Sequence, residues 1–413
     1  MHNYKLTKIK NNFIDNSLKD VRKTIRSELN RIKNIIKKGD SIAIAVGSRG
    51  IDNLQLTIKE VVDFAIKQGG DPFIIPAMGS HGGATAEGQA KVLAGYGITE
   101  HSIGAPVRSS MDVAELPQGE LKHRIFMDKI AYNSAGVILI NKIKPHTDFH
   151  STYESGLVKM AVIGLGKEYG AKAIHNHGVY GLTQLIPASA TQIFATHKIL
   201  AGIALIENAY DKTMKIKAIP GNEIMSEEPE LLKIAHANRP TFPVEKIDVL
   251  LIDRMGKNIS GVGIDTNIIG RTKIYGQEEP SSPNIRSIVV RDLTDESHGN
   301  ATGIGLADII TRKLYAKIDF DITYKNISTS SFLERGKIPF VAETDHDAMN
   351  LALRNCGNAN PGEERIIRIM DTLHLDELYV SETILNELRG NLQIEIIDST
   401  VDLFDEKNAI NHF

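Results

Sequence analysis

Cysteine is almost absent from this chain of 413 residues, which contains only Cys356. A single cysteine excludes an internal disulfide and a metal cluster held by several thiolates. Long apolar runs are missing too, because none approaches the roughly 20 residues that a membrane-spanning helix requires. The N-terminus also lacks the apolar core of a secretory signal peptide. We therefore expect a cytoplasmic protein without a membrane partner.

A large excess of charge of one sign is likewise missing. The net charge is −3 and the sequence pI is about 6.5. A nucleic-acid-binding domain would show a clustered basic face. The basic residues near the N-terminus instead alternate with polar and apolar ones, as on a solvated helix. We expect no nucleic-acid partner, and no unassigned apolar stripe indicates the oligomeric state.

The length and the apolar content of 42% are sufficient for two domains with their own cores. In the first half, apolar strands alternate with amphipathic helices, which predicts a mainly parallel α/β sheet. Residues 238–243 contain two prolines, which end helices and favour an extended linker. We therefore predict two α/β domains, at 1–240 and 244–413, with an active-site cleft between them.

The second half of the chain repeats the alternation of strands and helices. Apolar strands are predicted at 247–252 and 285–290, and a glycine-rich polar loop at 256–271 follows the first of them. A helix is predicted from 303 to 314. This pattern also indicates a mainly parallel sheet in the C-terminal domain.

Polar chemistry is concentrated at residues 141–178, which contain four of the 14 histidines. The segment follows an apolar run at 135–140 that is typical of a buried parallel strand. Arg49 and His81 lie on glycine-rich loops after two earlier predicted strands. Because the carboxyl ends of parallel strands meet at one edge of a sheet, we expect all three loops to open at the same place.

The residues alone leave more than one kind of site open. Four histidines of this segment could hold zinc, although the first two lack the helical, glutamate-containing motif of zinc proteases. These histidines are His146, His150, His175 and His177. A zinc site therefore remains an alternative at this point.

Two lysines of the same segment have a chemical and a structural interpretation. The glycines before Lys167 miss the spacing of the nucleotide-binding motifs, but they can bring backbone N–H groups near an anion. Lys159 stands in an otherwise apolar stretch. A lysine in such a place either acts as a nucleophile or buries its stem beneath a solvated ammonium group.

Four stretches of the chain carry a resemblance to a known family. They are the turn Ser48-Arg49, the loop Gly79-Ser80-His81 followed by Glu87, the run from Lys144-Pro145-His146 to Lys159, and Ile174-His175-Asn176-His177. With them the chain resembles, over nearly its whole length, the nickel-pincer-nucleotide enzymes of which lactate racemase is the type member. The glycine-rich loop 256–271 and residues 297–313 resemble a subgroup distinct from lactate racemase itself.

The resemblance implies a specific cofactor, pyridinium-3,5-bisthiocarboxylic acid mononucleotide, joined covalently to a lysine and carrying Ni(II). Two cofactor sulfurs, one ring carbon and one protein imidazole hold the metal in this family, a donor set that suits nickel. Lys159 matches the cofactor lysine. His175 matches the nickel ligand by its separation from Lys159, whereas His177 matches by its local pattern, and we favour His175 narrowly. Further contacts to the cofactor are expected from Ser48, Lys167, Asp265 and Asn267.

The resemblance also implies an acid/base pair of histidines, which His81 and His146 match. Histidine suits this role because its pKa lies near neutrality. Arg49 matches an arginine near the substrate, where its planar fork would hold a carboxylate. Further substrate contacts are expected from Lys144, His298 and Asn300.

The chain departs from the family at several of these positions. The family's Asp-x-Thr-Arg is here Val46-Gly47-Ser48-Arg49. The segment between His146 and Lys159 is longer than in the type member. The glutamine and lysine with which the second domain of the type member contacts lactate have no clear match. These departures make lactate an unexpected substrate, whereas the reaction class is less affected.

The resemblance therefore predicts a racemase or epimerase of a 2-hydroxy acid that works by hydride abstraction and return. Its partners would be the small hydroxy acid and the enzymes that make the cofactor. One alternative is a zinc- or nickel-dependent hydrolase that uses the same histidines without the nucleotide. The other is a non-catalytic ligand-binding homologue.

Overall fold

The computed structural model describes residues 4–48, 50–330, 332–357, 360–406 and 409–411. Arg49, which is predicted to contact the substrate, lies outside these residues. All helices and strands below refer to the described part of the chain. None of the helices there is both long enough and apolar enough to cross a membrane.

The strands are short and occur along the whole chain. They are β1 (Lys5–Asn11), β2 (Ser41–Val46), β3 (Asp71–Pro76), β4 (Val113–Leu116), β5 (Ile125–Asp128), β6 (Gly136–Lys142), β7 (Ile199–Glu207), β8 (Thr213–Pro220), β9 (Lys246–Ile252), β10 (Asn284–Val290), β11 (Ile309–Thr311), β12 (Phe340–Ala342), β13 (Ile366–Ile369), β14 (Glu377–Ser381), β15 (Ile394–Ile396) and β16 (Val401–Asp402).

Helices separate most of these strands, and two π-helical turns, Met160–Gly164 and Gly181–Leu185, continue short helices. The α-helices are α1 (Val21–Arg31), α2 (Leu54–Lys67), α3 (Ala86–Gly95), α4 (Glu100–Ile103), α5 (Lys129–Asn133), α6 (Leu157–Lys159), α7 (Lys167–His175), α8 (Gly178–Tyr180), α9 (Ile186–Ala195), α10 (Ile224–Ala237), α11 (Thr266–Ile269), α12 (Arg312–Ala316), α13 (Phe320–Ser330), α14 (Asp345–Asn355) and α15 (Glu382–Glu387).

The chain divides into two compact units, Ile14–Arg239 and Met1–Phe13 with Pro240–Phe413. The predicted N-terminal domain of 1–240 was therefore wrong at its start. Strand β1 pairs antiparallel with β14, β15 and β16, and it buries Leu6 and Ile9 in that sheet. Because its partners lie near the other end of the chain, no local pattern in the sequence reveals this pairing.

The unit Ile14–Arg239 is built on a five-stranded sheet of order β3-β2-β6-β7-β8. The first four strands are parallel, and β8 runs antiparallel to β7. Strand β2, Ser-Ile-Ala-Ile-Ala-Val, is apolar along nearly its whole length because helices cover a parallel sheet on both faces. Its isoleucines share one core with buried residues of α1 and α2.

Three neighbouring strands of this sheet, β3, β2 and β6, place their carboxyl ends at the same edge. The loops that follow them carry His81, Ser48 and His146, respectively. This is the part of an open parallel sheet where ligands bind in α/β proteins. The fold therefore gathers residues from three separate parts of the chain.

The other unit contains a sheet of order β12-β11-β10-β9-β13-β14-β1-β15, in which β9 to β13 are parallel. The predicted mainly parallel α/β class is thus confirmed for the sheets of both units. The predicted helix at 303–314 is wrong, because Ile309–Thr311 forms the buried strand β11 between β10 and β12. A short apolar run does not distinguish a buried strand from a buried helix by its periodicity.

Lys167 is a buried cation that joins three elements of the unit Ile14–Arg239. Its side chain is fully buried, and Nζ lies 2.9 Å from Asp128 Oδ2 at the end of β5. The ammonium also donates to Pro76 O at 2.5 Å and to Gln89 Oε1 at 3.2 Å. These partners use its three N–H donors, so the prediction that Lys167 binds the cofactor is corrected to a structural role.

Replacement of Lys167 by methionine should lower the free energy of unfolding by about 3–5 kcal/mol, because Asp128 would keep a buried charge without its cation. Urea denaturation measures this loss. The matched control is Lys172→Met on the same helix, whose exposed pair with Glu168 should contribute no more than about 0.5 kcal/mol. Equal, small losses in the two variants would contradict the assigned role of Lys167.

Candidate active site

The site centres on a contact between Lys159 Nζ and His146 Nε2. The two residues meet because the backbones of Lys144 and Ser155 pair, with N···O distances of 2.9 and 3.2 Å, and fold the intervening loop back on itself. The buried ring of Phe149 lies against His146, with 4.6 Å between the ring centroids. Lysine and imidazole are thus held together beside an apolar wall.

The hydrogen bond at Nδ1 of His146 shows which ring nitrogen carries the proton. The backbone N–H of Asp148 donates to Nδ1 at 3.0 Å, so Nδ1 must offer its lone pair. Burial lowers the pKa of His146 well below 6.5, and a charged Lys159 would lower it further. The ring is therefore neutral at pH 7 and carries its proton on Nε2, which faces Lys159.

This tautomer decides the chemical state of Lys159. An Nε2–H group can only donate, so a hydrogen bond between the two side chains requires Lys159 Nζ to be the acceptor. Only the neutral amine has a lone pair to accept with. The neutral amine is also the nucleophilic form of lysine, which makes Lys159 suited to forming a covalent bond.

Helix α10 fixes the loop that carries His146. The buried carboxylate of Glu154 accepts the backbone N–H of His146 at 2.6 Å, and its other oxygen accepts from His236 on α10 at 3.2 Å. Burial alone would raise the pKa of Glu154, but hydrogen bonds from His150, His236 and the backbone lower it to about 2. Next to Glu154, the Tyr153 hydroxyl donates to Met225 O at 2.7 Å.

The same helix fixes the turn that carries Lys159. Glu228 Oε2 accepts the backbone N–H groups of Leu157 and Val158 at 2.7 and 3.0 Å. Burial raises the pKa of Glu228 to about 7, against the opposing effect of these two hydrogen bonds. A Cβ on Gly156 would lie 2.4 Å from Glu228 Oε1, so a side chain at this position would displace the carboxylate from its two backbone partners.

The second imidazole, His81, is held by the loop after β2. Ser48 Oγ contacts His81 Nδ1, and the Tyr96 hydroxyl donates to Ser48 O at 2.8 Å. Gln89 Nε2 donates to Gly79 O at 2.8 Å, which fixes the loop before His81. The predicted contact of Ser48 with the cofactor stays a prediction, and the structure gives its hydroxyl a second use in orienting His81.

Backbone contacts connect the His81 loop to the neighbourhood of Lys159. Gly79 N donates to Gly164 O at 3.2 Å, at the end of the π-helical turn that follows Lys159. A Cβ built on Gly47 would lie 3.3 Å from Met160 Cε, directly beside Lys159. The loops after β2 and β3 therefore pack against the residues that carry the lysine.

The third imidazole, His175, ends α7. Burial, together with the positive charge of a protonated Lys159, lowers the pKa of His175 to about 4, while Asp148 opposes this effect. His177 is exposed, and its charge contributes, after burial, to lowering the pKa of His123. His175 therefore lies near Lys159 and Asp148, whereas His177 is exposed.

The predicted four-histidine zinc set is not gathered in the described residues. The group there with metal-ligand spacing is His150, Glu154 and His236, which shares only one histidine with that set. The sequence analysis missed His236 and Glu228, because neither stands in a motif. Their importance becomes visible only in the folded chain, where they contact the loop 146–158, which is distant in sequence.

Lys144, a predicted substrate contact, lies close to the imidazoles. Its charge is among the causes that lower the pKa of His146. The neighbouring Lys142 is instead paired with Glu207, and its Nζ lies 3.6 Å from Asp211 Oδ1.

The remaining predicted contacts belong to the C-terminal unit. Asp265 caps α11 by accepting the backbone N–H of Asn267 at 2.9 Å. Asn300 Oδ1 accepts from the Thr302 hydroxyl at 2.6 Å, and His298 is exposed with a φ of 47°. Their roles toward cofactor and substrate stay predictions.

No protein-family model matches the chain, and no curated protein matches it in sequence. Among solved structures, it is similar to the lactate racemase apoprotein from Thermoanaerobacterium thermosaccharolyticum, with a TM-score of 0.55 and 12% identity over 89% of this chain and 98% of that one. It is also similar to a protein from Thermotoga maritima, with a TM-score of 0.51 and 13% identity over 82% and 90% of the two chains. Likeness at such identity establishes a shared fold.

In cofactor-free protein, NMR of the imidazole resonances should give His175 a pKa of about 4. Lys159→Met should raise this pKa, because Lys159 is protonated at such acidity and then disfavours the imidazolium. The resonance is assigned with His175→Gln, and Lys172→Met on the exposed side of α7 is the matched control. An unchanged titration in Lys159→Met would contradict the convergence of the two residues.

Proposed function

We propose that the protein is a racemase or epimerase of a 2-hydroxy acid whose nickel-pincer nucleotide is joined to Lys159. The observation that carries the proposal is the contact between Lys159 and the Nε2–H tautomer of His146. A nucleophilic amine is needed to form the tether, and two further imidazoles, His81 and His175, stand on adjoining elements. The fold shared with a lactate racemase supports the reaction class.

The side chains of this site fit the proposed cofactor. Lys159 offers the amine for attachment. His175 offers a neutral imidazole, the nitrogen ligand that a nickel centre with sulfur donors accepts. The half-buried position of His175 near Lys159 favours it over the exposed His177 as this ligand. Ser48 remains a proposed contact to the nucleotide.

When bound, the cofactor would take a hydride from the α-carbon of the substrate and return it to either face. The protein must then remove and return the hydroxyl proton, a task for His81 and His146. The tether would use the lone pair of Lys159, so His146 Nε2 would lose this acceptor. To take the hydroxyl proton at Nε2, His146 must carry its own proton on Nδ1, which requires it to release the hydrogen bond from the Asp148 N–H. The contact between Ser48 and His81 Nδ1 leaves His81 Nε2 as the nitrogen that meets the substrate.

A 2-hydroxy acid also requires a cation for its carboxylate. We assign this role to Arg49, with Lys144 as a second positive charge. Arginine can hold a carboxylate through two parallel hydrogen bonds, which fixes the α-carbon relative to both histidines. The proposal also includes substrate contacts from His298 and Asn300. It further includes cofactor contacts from Asp265 and Asn267.

Protein produced together with the cofactor-biosynthesis enzymes should contain one nickel per chain and a covalent adduct in its intact mass. Lys159→Met should lose the adduct, whereas Lys172→Met should keep it, because Lys172 is exposed and paired with Glu168. Peptide mass spectrometry locates the modification. Wild-type protein without an adduct, and with one tightly bound zinc that is lost in His146→Asn, would favour a hydrolase instead.

With adduct present, His81→Asn and His146→Asn should each lower kcat/KM for racemisation by about 10²–10⁴-fold. His101→Asn, an exposed histidine on α4, should keep full activity. In deuterated water the α-carbon should retain its hydrogen, because a returned hydride does not exchange with solvent. Deuterium at this carbon, or full activity without both histidines, would refute the mechanism, and binding without turnover in wild-type protein would indicate a ligand-binding homologue.

A further inference from the structure

A second cluster of potential ligands lies on the far side of Glu154 from His146. Glu154 Oε1 is 3.2 Å from His150 Nδ1 and 3.2 Å from His236 Nε2. Within this group, one ligand atom from each residue lies within 4.8 Å of the others. The centroids of the two imidazole rings lie 5.8 Å apart, and the ring planes are tilted by 59°. Two nitrogens and one carboxylate oxygen thus converge on one point.

The charge of Glu154 favours a cation at this point. Its side chain is only 2% exposed. In the described part of the chain, no lysine or arginine forms an ion pair with it. A buried carboxylate is costly unless a positive charge or a metal compensates it.

The distances also suit a metal better than ordinary hydrogen bonds. Ligand bonds of roughly 2.0–2.1 Å in a tetrahedral zinc site separate neighbouring ligand atoms by about 3.3 Å. The two distances from Glu154 Oε1, 3.2 Å each, are close to this separation. They lie at the long end of the range for N–H···O hydrogen bonds. Little movement is therefore needed to admit an ion.

We propose that His150, Glu154 and His236 form a divalent cation site that prefers Zn²⁺. Two imidazoles and one carboxylate are a common protein ligand set for this ion, and water completes the coordination. His150 is 44% exposed, which gives water and ion a path to the site. The site uses none of the residues assigned to the nickel cofactor.

Zinc binding has a consequence for Arg239. Its Nη1 lies 3.2 Å from His236 Nδ1, which keeps the imidazole proton on Nε2. A metal on Nε2 moves the proton to Nδ1, so Arg239 must turn away. Zinc thus replaces the contact between Arg239 and His236 with a bond that also joins α10 to the loop of His146.

This ion would stabilise the loop that carries His146 without contacting His146 itself. Glu154 Oε1 is the proposed ligand, while Oε2 accepts the backbone N–H of His146 at 2.6 Å. A metal on one oxygen therefore fixes the carboxylate that positions His146. We assign the ion a structural role in holding this loop on α10.

The test uses full-length protein, made without the cofactor-biosynthesis enzymes and stripped with EDTA. Zinc is titrated in competition with a chromophoric chelator, and Co²⁺ absorption reports tetrahedral coordination. Wild-type protein should bind one zinc, and His150→Gln, Glu154→Gln and His236→Gln should each bind at least about tenfold more weakly. His175→Gln, the matched control, should bind as wild type does.

Thermal unfolding distinguishes a variant that has lost a zinc-binding side chain from one that no longer folds. His150→Gln changes an exposed side chain, so its midpoint without metal should equal that of wild type. Zinc should raise the midpoint of wild type and His175→Gln but not that of His150→Gln. The proposal is overturned if wild type fails to bind micromolar zinc, or if His175→Gln loses binding while His150→Gln keeps it.

Discussion

The site depends on one hydrogen bond, the one between His146 and Lys159. A protonated lysine beside an imidazole ordinarily donates a hydrogen bond to it and keeps its own positive charge. Here the backbone N–H of Asp148 occupies Nδ1 and forces the proton onto Nε2. The ring therefore becomes the donor, and Lys159 becomes the acceptor. A hydrogen bond between the two side chains therefore requires the neutral form of Lys159, which is its nucleophilic form.

Two buried carboxyl groups keep this pair in place, Glu154 in the loop of His146 and Glu228 on α10. Glu154 fixes the backbone of His146, and Glu228 fixes the two backbone N–H groups ahead of Lys159. Each carboxylate is almost fully buried, which is costly and is accepted only where hydrogen bonds compensate. Helix α10 thus fixes the backbone around both residues, directly through Glu228 and through the contact of His236 with Glu154.

The sequence predicted the parts of the site that local patterns encode. Apolar runs marked β2, β3 and β6, and the parallel arrangement placed Ser48, His81 and His146 at one edge. Interactions between distant residues could not be predicted. The glycine-rich context of Lys167 suggested a phosphate ligand. Its actual partner, Asp128, lies on strand β5, far from it in the sequence. Glu228 and His236 lie on an ordinary amphipathic helix, and only the folded chain brings them to their partners.

The account is tested most directly by the reactivity of Lys159 in cofactor-free protein. Limited acetylation with acetic anhydride at pH 7, read by peptide mass spectrometry, compares Lys159 with the exposed Lys172 on the neighbouring helix. A neutral, half-buried amine should be acetylated faster than Lys172, and His146→Phe should abolish this advantage. Acetylation of Lys159 no faster than that of Lys172, or an unchanged rate in His146→Phe, would contradict the account.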